Sequence, residues 1–199
     1  MGHMKKLVGL CVGLMMIIIG SIAVAISAQA GETKVIKSKA SGSFVAANLD
    51  FDHANLTTPA EYINSAGIGN VLGKFTEQGV NEYAPDGHSC TVPGGVAGAA
   101  TELALVADVD VLRITATGDL LFFKAISATG CQDFSTFPTP LLPFIITETG
   151  VVTGGTGAFS GATGTFTNKT KGAGLSVDAT GVRGFGWFES KVVTTVTVP

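Results

Sequence analysis

The chain predicts an all-β domain, a single antiparallel barrel of about eight strands, on three observations. The run GGTGAFSGATGTF, Gly154 to Phe166, sets five glycines around two phenylalanines. Each such glycine would cost a helix roughly 1 kcal/mol, whereas a tightly coiled sheet uses it where backbones approach closely or φ turns positive. Short β-branched and aromatic runs recur through the rest of the chain with glycine-rich turns between them. No segment carries the apolar period of a long helix after residue 30.

The first thirty residues read as a leader preceding the domain. Lys5 and Lys6 precede an apolar stretch from Leu7 to Ile26, and Ala28-Gln29-Ala30 supplies the small residues that signal peptidase requires before Gly31. Two other fates stay open: an uncleaved apolar run of about twenty residues could span a bilayer, and Cys11 could be lipidated. Met1-Gly2-His3 ahead of Met4 has the form of a cloning scar. The expected location is outside the cytoplasm, periplasmic or extracellular, with the membrane involved only through an uncleaved leader. Residues 31–42 read as a flexible N-terminal arm and residues 43–199 as the barrel.

Along the domain, Ser43 to Asp52 predicts the first strand, and Thr58-Pro59-Ala60-Glu61 the start of one or two helical turns. Val71 to Thr76 resumes a strand. Asn81 to Gly98 reads as a loop on its proline and glycine content, and Ala99 to Ala107 as a strand. Val109 to Thr117 and Leu120 to Ile126 face each other as a hairpin across Thr117-Gly118-Asp119. Gln132 to Pro143 reads as a stiff surface loop whose Phe134, Phe137, Leu141 and Leu142 form an apolar contact site. Strands then follow over Phe144 to Val152, Ala158 to Thr170, Gly184 to Lys191 and Val192 to Val198. Phe122-Phe123 and Trp187-Phe188 are doublets that point to opposite sheet faces, so part of the outside is expected to be covered, by an oligomer interface as in a dimer or trimer or by a hydrophobic loop such as Phe134 to Leu142.

Charge and motifs exclude more than they assign. Losing Lys5 and Lys6 with the leader leaves ten basic against fifteen acidic residues, a net charge of −5. The basic residues are scattered along the chain without interleaved aromatics, so no nucleic-acid partner is expected. Of three cysteines, Cys90 and Cys131 remain after cleavage and predict a disulfide, which would stabilise by about 4 kcal/mol on loop-closure grounds. No P-loop, dinucleotide fingerprint or G-x-S-x-G elbow occurs, so no cofactor is expected. No metal is expected either, since Asp50, Asp52 and His53 lack a fourth ligand nearby. The candidate acid-base residues are Asp108 and Asp110, which share a face under strict alternation with Arg113 opposite, and Glu148 on an apolar strand.

At GGTGAFSGATGTF, preceded by Glu148-Thr149-Gly150-Val151-Val152, the chain resembles the allene oxide cyclase and dirigent barrel superfamily. Gly69 to Thr76 and the Gly118-Asp119-Leu120-Leu121 hairpin look like segments of exported bacterial relatives of that group. The resemblance implies an eight-stranded barrel of calycin type with an apolar interior, often dimeric or trimeric. Only Gly154, Gly155, Thr156, Gly157, Phe159 and Gly161 match its motif, and with Gly164 these are structural positions. No carboxylate aligns with the family's acid residues. Three functions follow as expectations: a non-catalytic exported barrel binding a small hydrophobic ligand or a protein partner, a cyclase-like isomerase, or a self-assembling envelope protein.

Overall fold

The computed structural model describes residues 31–47, 60–135, 141–176 and 184–199. They form eight strands: β1 (Glu32–Ala47), β2 (Ala60–Gly69), β3 (Gly73–Cys90), β4 (Ala100–Ile114), β5 (Leu120–Gln132), β6 (Leu142–Gly155), β7 (Thr163–Ser176) and β8 (Gly184–Val198). Each strand pairs antiparallel with the next, and β8 pairs back onto β1, so one sheet closes into a ring. Closure leaves no unpaired edge to template aggregation. No α-helix occurs among the described residues, and no helix there is long and apolar enough to cross a membrane.

What fills the ring explains the composition. Five inward phenylalanines each lie directly across the ladder from a glycine: Phe44 opposite Gly186, Phe188 opposite Gly42, Phe75 opposite Gly67, Phe144 opposite Gly172 and Phe166 opposite Gly150. A methyl at Gly150 would sit 2.4 Å from the Phe166 ring and 2.3 Å from the Lys124 carbonyl. The missing side chain is therefore the space the ring occupies. Two apolar layers result. One, around Ile36, Leu72, Leu112, Leu121, Phe159 and Val196, plugs the end bearing the short turns. The other, around Phe44, Ile63, Tyr83, Phe144, Ile146 and Phe188, lies toward the opposite end.

Several local expectations change. Residues 32–42, expected as a free arm, are the first half of β1, because Val35, Ile36 and Lys37 pair with Thr195, Thr194 and Val193. Glu61 belongs to strand β2 and not to a helical turn, since alternation along Glu61, Ile63 and Ser65 supplies an inward face. The Asn81 to Gly98 segment stays in β3 as far as Cys90, with Pro85 and Gly87 absorbed at the register shift between Pro85 and Ser89. Gly184–Val198 is one continuous strand, because Ser190 and Lys191 keep the ladder intact where two strands were expected. Leu142 is buried in β6, while Phe134 and Leu141 are exposed and Phe137 lies outside the described residues. Phe123 and Phe188 point inward while Trp187 is exposed, as alternation requires.

Cys90 and Cys131 form a disulfide that ties the end of β3 to the end of β5 beside the start of β4. At the plugged end, the glycine motif makes the β6–β7 turn. Gly157 takes φ +56 in the short 3-10 turn Gly157–Phe159, where a side chain would also strike Asp119, and the turn drives Phe159 into the plug.

The ring-on-glycine packing gives a paired prediction. Gly150→Ala should cost about 1–3 kcal/mol by overpacking. Gly174→Ala, where the added methyl meets nothing closer than 3.5 Å, should change stability little. Urea unfolding of both variants checks this; equal losses would remove steric fit as the cause.

Candidate functional site in the lumen

Between the two apolar layers the inward positions turn acidic. Strand alternation carries Glu61 on β2, Glu77 on β3, Asp108 and Asp110 on β4 and Glu148 on β6 to the interior, with Asn81, Tyr83, Asn168 and Ser190 among them. Two of the three expected acid-base residues share the β4 face as anticipated, with Arg113 exposed on the other side. Glu148 joins them from across the ring.

Glu148 is the best-ordered member. The Tyr83 hydroxyl donates to its Oε1, and Asn168 Nδ2 donates to its Oε2 at 2.7 Å. Burial nonetheless dominates and raises its pKa, with the Asp108 charge adding to the effect. Glu61 is pushed up to about 7, first by burial and then by Glu148. Burial raises Glu77 despite the 2.7 Å hydrogen bond from Ser65 Oγ, and it raises Asp108 despite the 2.5 Å bond from the Ala125 amide. Asp110 is raised well above the carboxylate range by burial and by Asp108, Glu77 and Glu148. Tyr83 is likewise held well above its ordinary value, so it stays a donor.

The physical cause is common to all. No described lysine or arginine enters the lumen, and an ionised carboxylate without a buried partner is expensive, so these groups retain protons that exposed carboxyls would lose. Asp110 also depends on a glycine: its Oδ1 lies where a Gly79 side chain would be. Asn81 Oδ1 and Asn168 Oδ1 are buried acceptors with no protein donor, while the Asp108 and Asp110 carboxyls bond to each other.

The arrangement can hold, share and release protons, and it has little room for anything else. The void beneath Phe44, Phe144 and Phe188 measures about 40 Å³ and the one beyond it about 20 Å³. At about 10–15 Å³ per water, these admit a few water-sized groups, far short of the roughly 300 Å³ that small-molecule sites begin at.

Elsewhere, among the described residues, Asp86, His88 and Glu102 place one ligand atom each within 4.8 Å of one another at the other end of β3 and β4. Asp86 and His88 are exposed and paired at 3.1 Å, which raises the histidine and lowers the carboxylate. Nothing there beyond an exposed acidic group points to an ion. Asp50, Asp52 and His53 lie outside the described residues.

The sequence reasoning missed Glu61, Glu77, Tyr83, Asn81 and Asn168. The signal available was parity: Phe75, Glu77 and Gly79 alternate on one face of β3, and Glu61, Ile63 and Ser65 on one face of β2.

The lumen predicts an acid-favouring stability profile. A carboxyl whose folded pKa exceeds its unfolded value stabilises fully below the unfolded pKa, and that contribution is lost as pH rises through the folded pKa. For Glu61 the window runs from the ordinary 4.5 to about 7, with a slope of up to about 1.4 kcal/mol per pH unit. The urea midpoint should therefore fall between pH 5 and pH 7, and Glu61→Gln should flatten that fall. A midpoint that rises with pH over this range would contradict the proton-holding assignment.

No protein-family model, no curated protein and no solved structure matches the chain.

Proposed function

We propose that this is an exported, non-catalytic β-barrel that works through its outer wall, by docking against a second copy of itself. The observation that carries this reading is a continuous apolar row across the outside of six strands. Leu175 pairs with Phe185, Phe185 with Val45, Val45 with Tyr62, Tyr62 with Val80 and Val80 with Val109, and Trp187 stands two residues along β8. Phe185, Trp187, Tyr62 and Val109 are each about half exposed. Half-exposed aromatics contribute on the order of 100 Å² each, so the part of the row on three adjacent strands, Phe185 and Trp187 on β8, Val45 on β1 and Tyr62 on β2, offers one partner about 350 Å² of apolar surface. That amount suits the apolar centre of an interface burying about 800 Å² per partner.

A second copy is the occupant that this geometry favours. A two-fold axis through the β8–β1–β2 part of the row lays Phe185, Trp187, Val45 and Tyr62 upon their copies, apolar on apolar, and carries the charged positions further along β8 to opposite flanks, where like charges do not meet. The lumen, by contrast, is filled, which favours a protein partner over a carried hydrophobic ligand. The outward lysines and threonines of β7 and β8 argue against a lipid-facing wall. Export is supported by the leader pattern and by the Cys90–Cys131 disulfide. Kinship with the allene oxide cyclase and dirigent barrels belongs to the same proposal and rests on the Gly154 motif.

One observation favours a second reading, a cyclase-like isomerase. Glu61, Glu148 and Tyr83 line one void as potential acid-base groups. The void's 40 Å³ sets that reading second.

Protein recovered from outside the cytoplasm of its own host should sediment as a dimer. Its chains should begin at Gly31, with the cysteines oxidised. Tyr62→Lys and Trp187→Lys should give monomers with unchanged circular dichroism. A monomer of the unmodified protein at tens of micromolar would overturn the docking assignment, and intact residues 1–30 would overturn cleavage.

A further inference from the structure

Six residues along β8 from the apolar row, the same outer wall carries a second surface of different chemistry. Lys169 on β7 pairs directly with Lys191 on β8, and Lys191 pairs directly with Lys39 on β1. Three lysines thus stand in one cross-strand row, their Cα atoms spanning about 10 Å, two strand spacings. Like charges in register oppose one another and destabilise the sheet. Among the described residues none of the three has an ion-pair partner; the nearby Glu189 is engaged by Lys171 at 3.2 Å. The row borders an open groove of about 750 Å³ spanning β6, β7, β8, β1 and β2. This volume falls within the range of ligand sites and dwarfs the lumen voids.

The rest of the lining narrows the ligand. Ser41 and Thr147 present hydroxyls, and Ile68, Ile145 and Ala66 present apolar surface. Hydroxyls suit sugar hydroxyls, flat apolar patches suit the faces of pyranose rings, and the lysine row suits anionic groups repeating along a chain. A bare phosphate chain would use the lysines alone. A nucleic acid would also call for stacking aromatics, and none stands among the described residues of the groove lining.

We infer that the groove bounded by Lys39, Lys169 and Lys191 binds a linear acidic glycan, its carboxylates seated on the lysine row. The groove shares no residue with the apolar row, so the site stands whether or not the protein pairs with itself.

Calorimetric titration of the exported protein with hexagalacturonate at low salt tests this. Binding is expected, with a neutral galactose hexamer inert and affinity falling as salt rises. Lys191→Gln, at the centre of the row, should weaken binding about tenfold, the scale of one lost charge-assisted contact. Lys191→Arg should largely preserve binding, and Arg113→Gln on β4 should leave it unchanged. Because Lys191→Gln also relieves repulsion, its melting temperature should not fall, which separates lost binding from lost folding. Equal affinity for the neutral hexamer, no effect of Lys191→Gln, or tighter binding of tripolyphosphate or of a hexathymidylate would each overturn the assignment.

Discussion

The structure depends on a steric exchange across neighbouring strands, a phenylalanine ring occupying the space of an absent glycine side chain. An eight-stranded ring has an interior just wide enough for side chains to fill. Here, large side chains from every strand would collide, and small ones everywhere would leave cavities at a cost of about 1 kcal/mol per methyl. Pairing each large residue with a glycine in direct register lets the backbones approach while the rings turn into the lumen. Phe44 and Phe188 do this reciprocally across the β1–β8 seam, opposite Gly186 and Gly42. The closing seam is therefore specified by the same contact that fills the interior.

That packing also explains why the lumen holds an acid belt without a binding chamber. The rings occupy the two ends, and edge-to-face contacts of Phe44 with Phe144 at 5.7 Å and Phe123 with Phe166 at 5.4 Å join the strands across each layer. The carboxyls between them are desolvated by the rings and lack cations. Their chemistry is then dominated by the cost of ionisation, and the proton becomes a structural component of the folded state. Asp110 resting over Gly79 repeats the ring-on-glycine device with a carboxyl in place of a ring.

Much of this was legible in the chain. Alternation correctly separated Asp108 and Asp110 from Arg113, and Trp187 from Phe188, because a strand's period of two is enforced by backbone geometry wherever one face is buried. The strand expected from Ala158 starts only at Thr163, because Gly157 at positive φ opens the 3-10 turn Gly157–Phe159 first. Legibility failed where local preference and ring closure compete. Thr58 to Glu61 carries a helix-start pattern, yet β2 must span the gap between β1 and β3, and pairing along its whole length outweighs a cap worth about 1 kcal/mol. The arm and the Asn81 to Cys90 segment failed similarly, since their partners lie far away in sequence: Lys37 finds Val193, and Pro85 finds Leu103. Glu61, Glu77 and Tyr83 were missed with those segments, because a residue assigned to a cap, a short strand or a loop is not assigned an inward face.

The closed sheet also sorts the charges. Residues 31–199 count ten basic residues against fifteen acidic. Five of those acids, Glu61, Glu77, Asp108, Asp110 and Glu148, face the lumen with pKa values raised. Burial holds all five above their ordinary range, so they carry less of the negative charge than their count implies. The basic residues have no such refuge, since an ammonium cannot shed its proton as cheaply at neutral pH and so stays outside. Positions 39, 169 and 191, scattered over more than 150 residues of sequence, then fall into one row because antiparallel pairing sets them side by side. A protein acidic by count thus presents a wall that is locally basic.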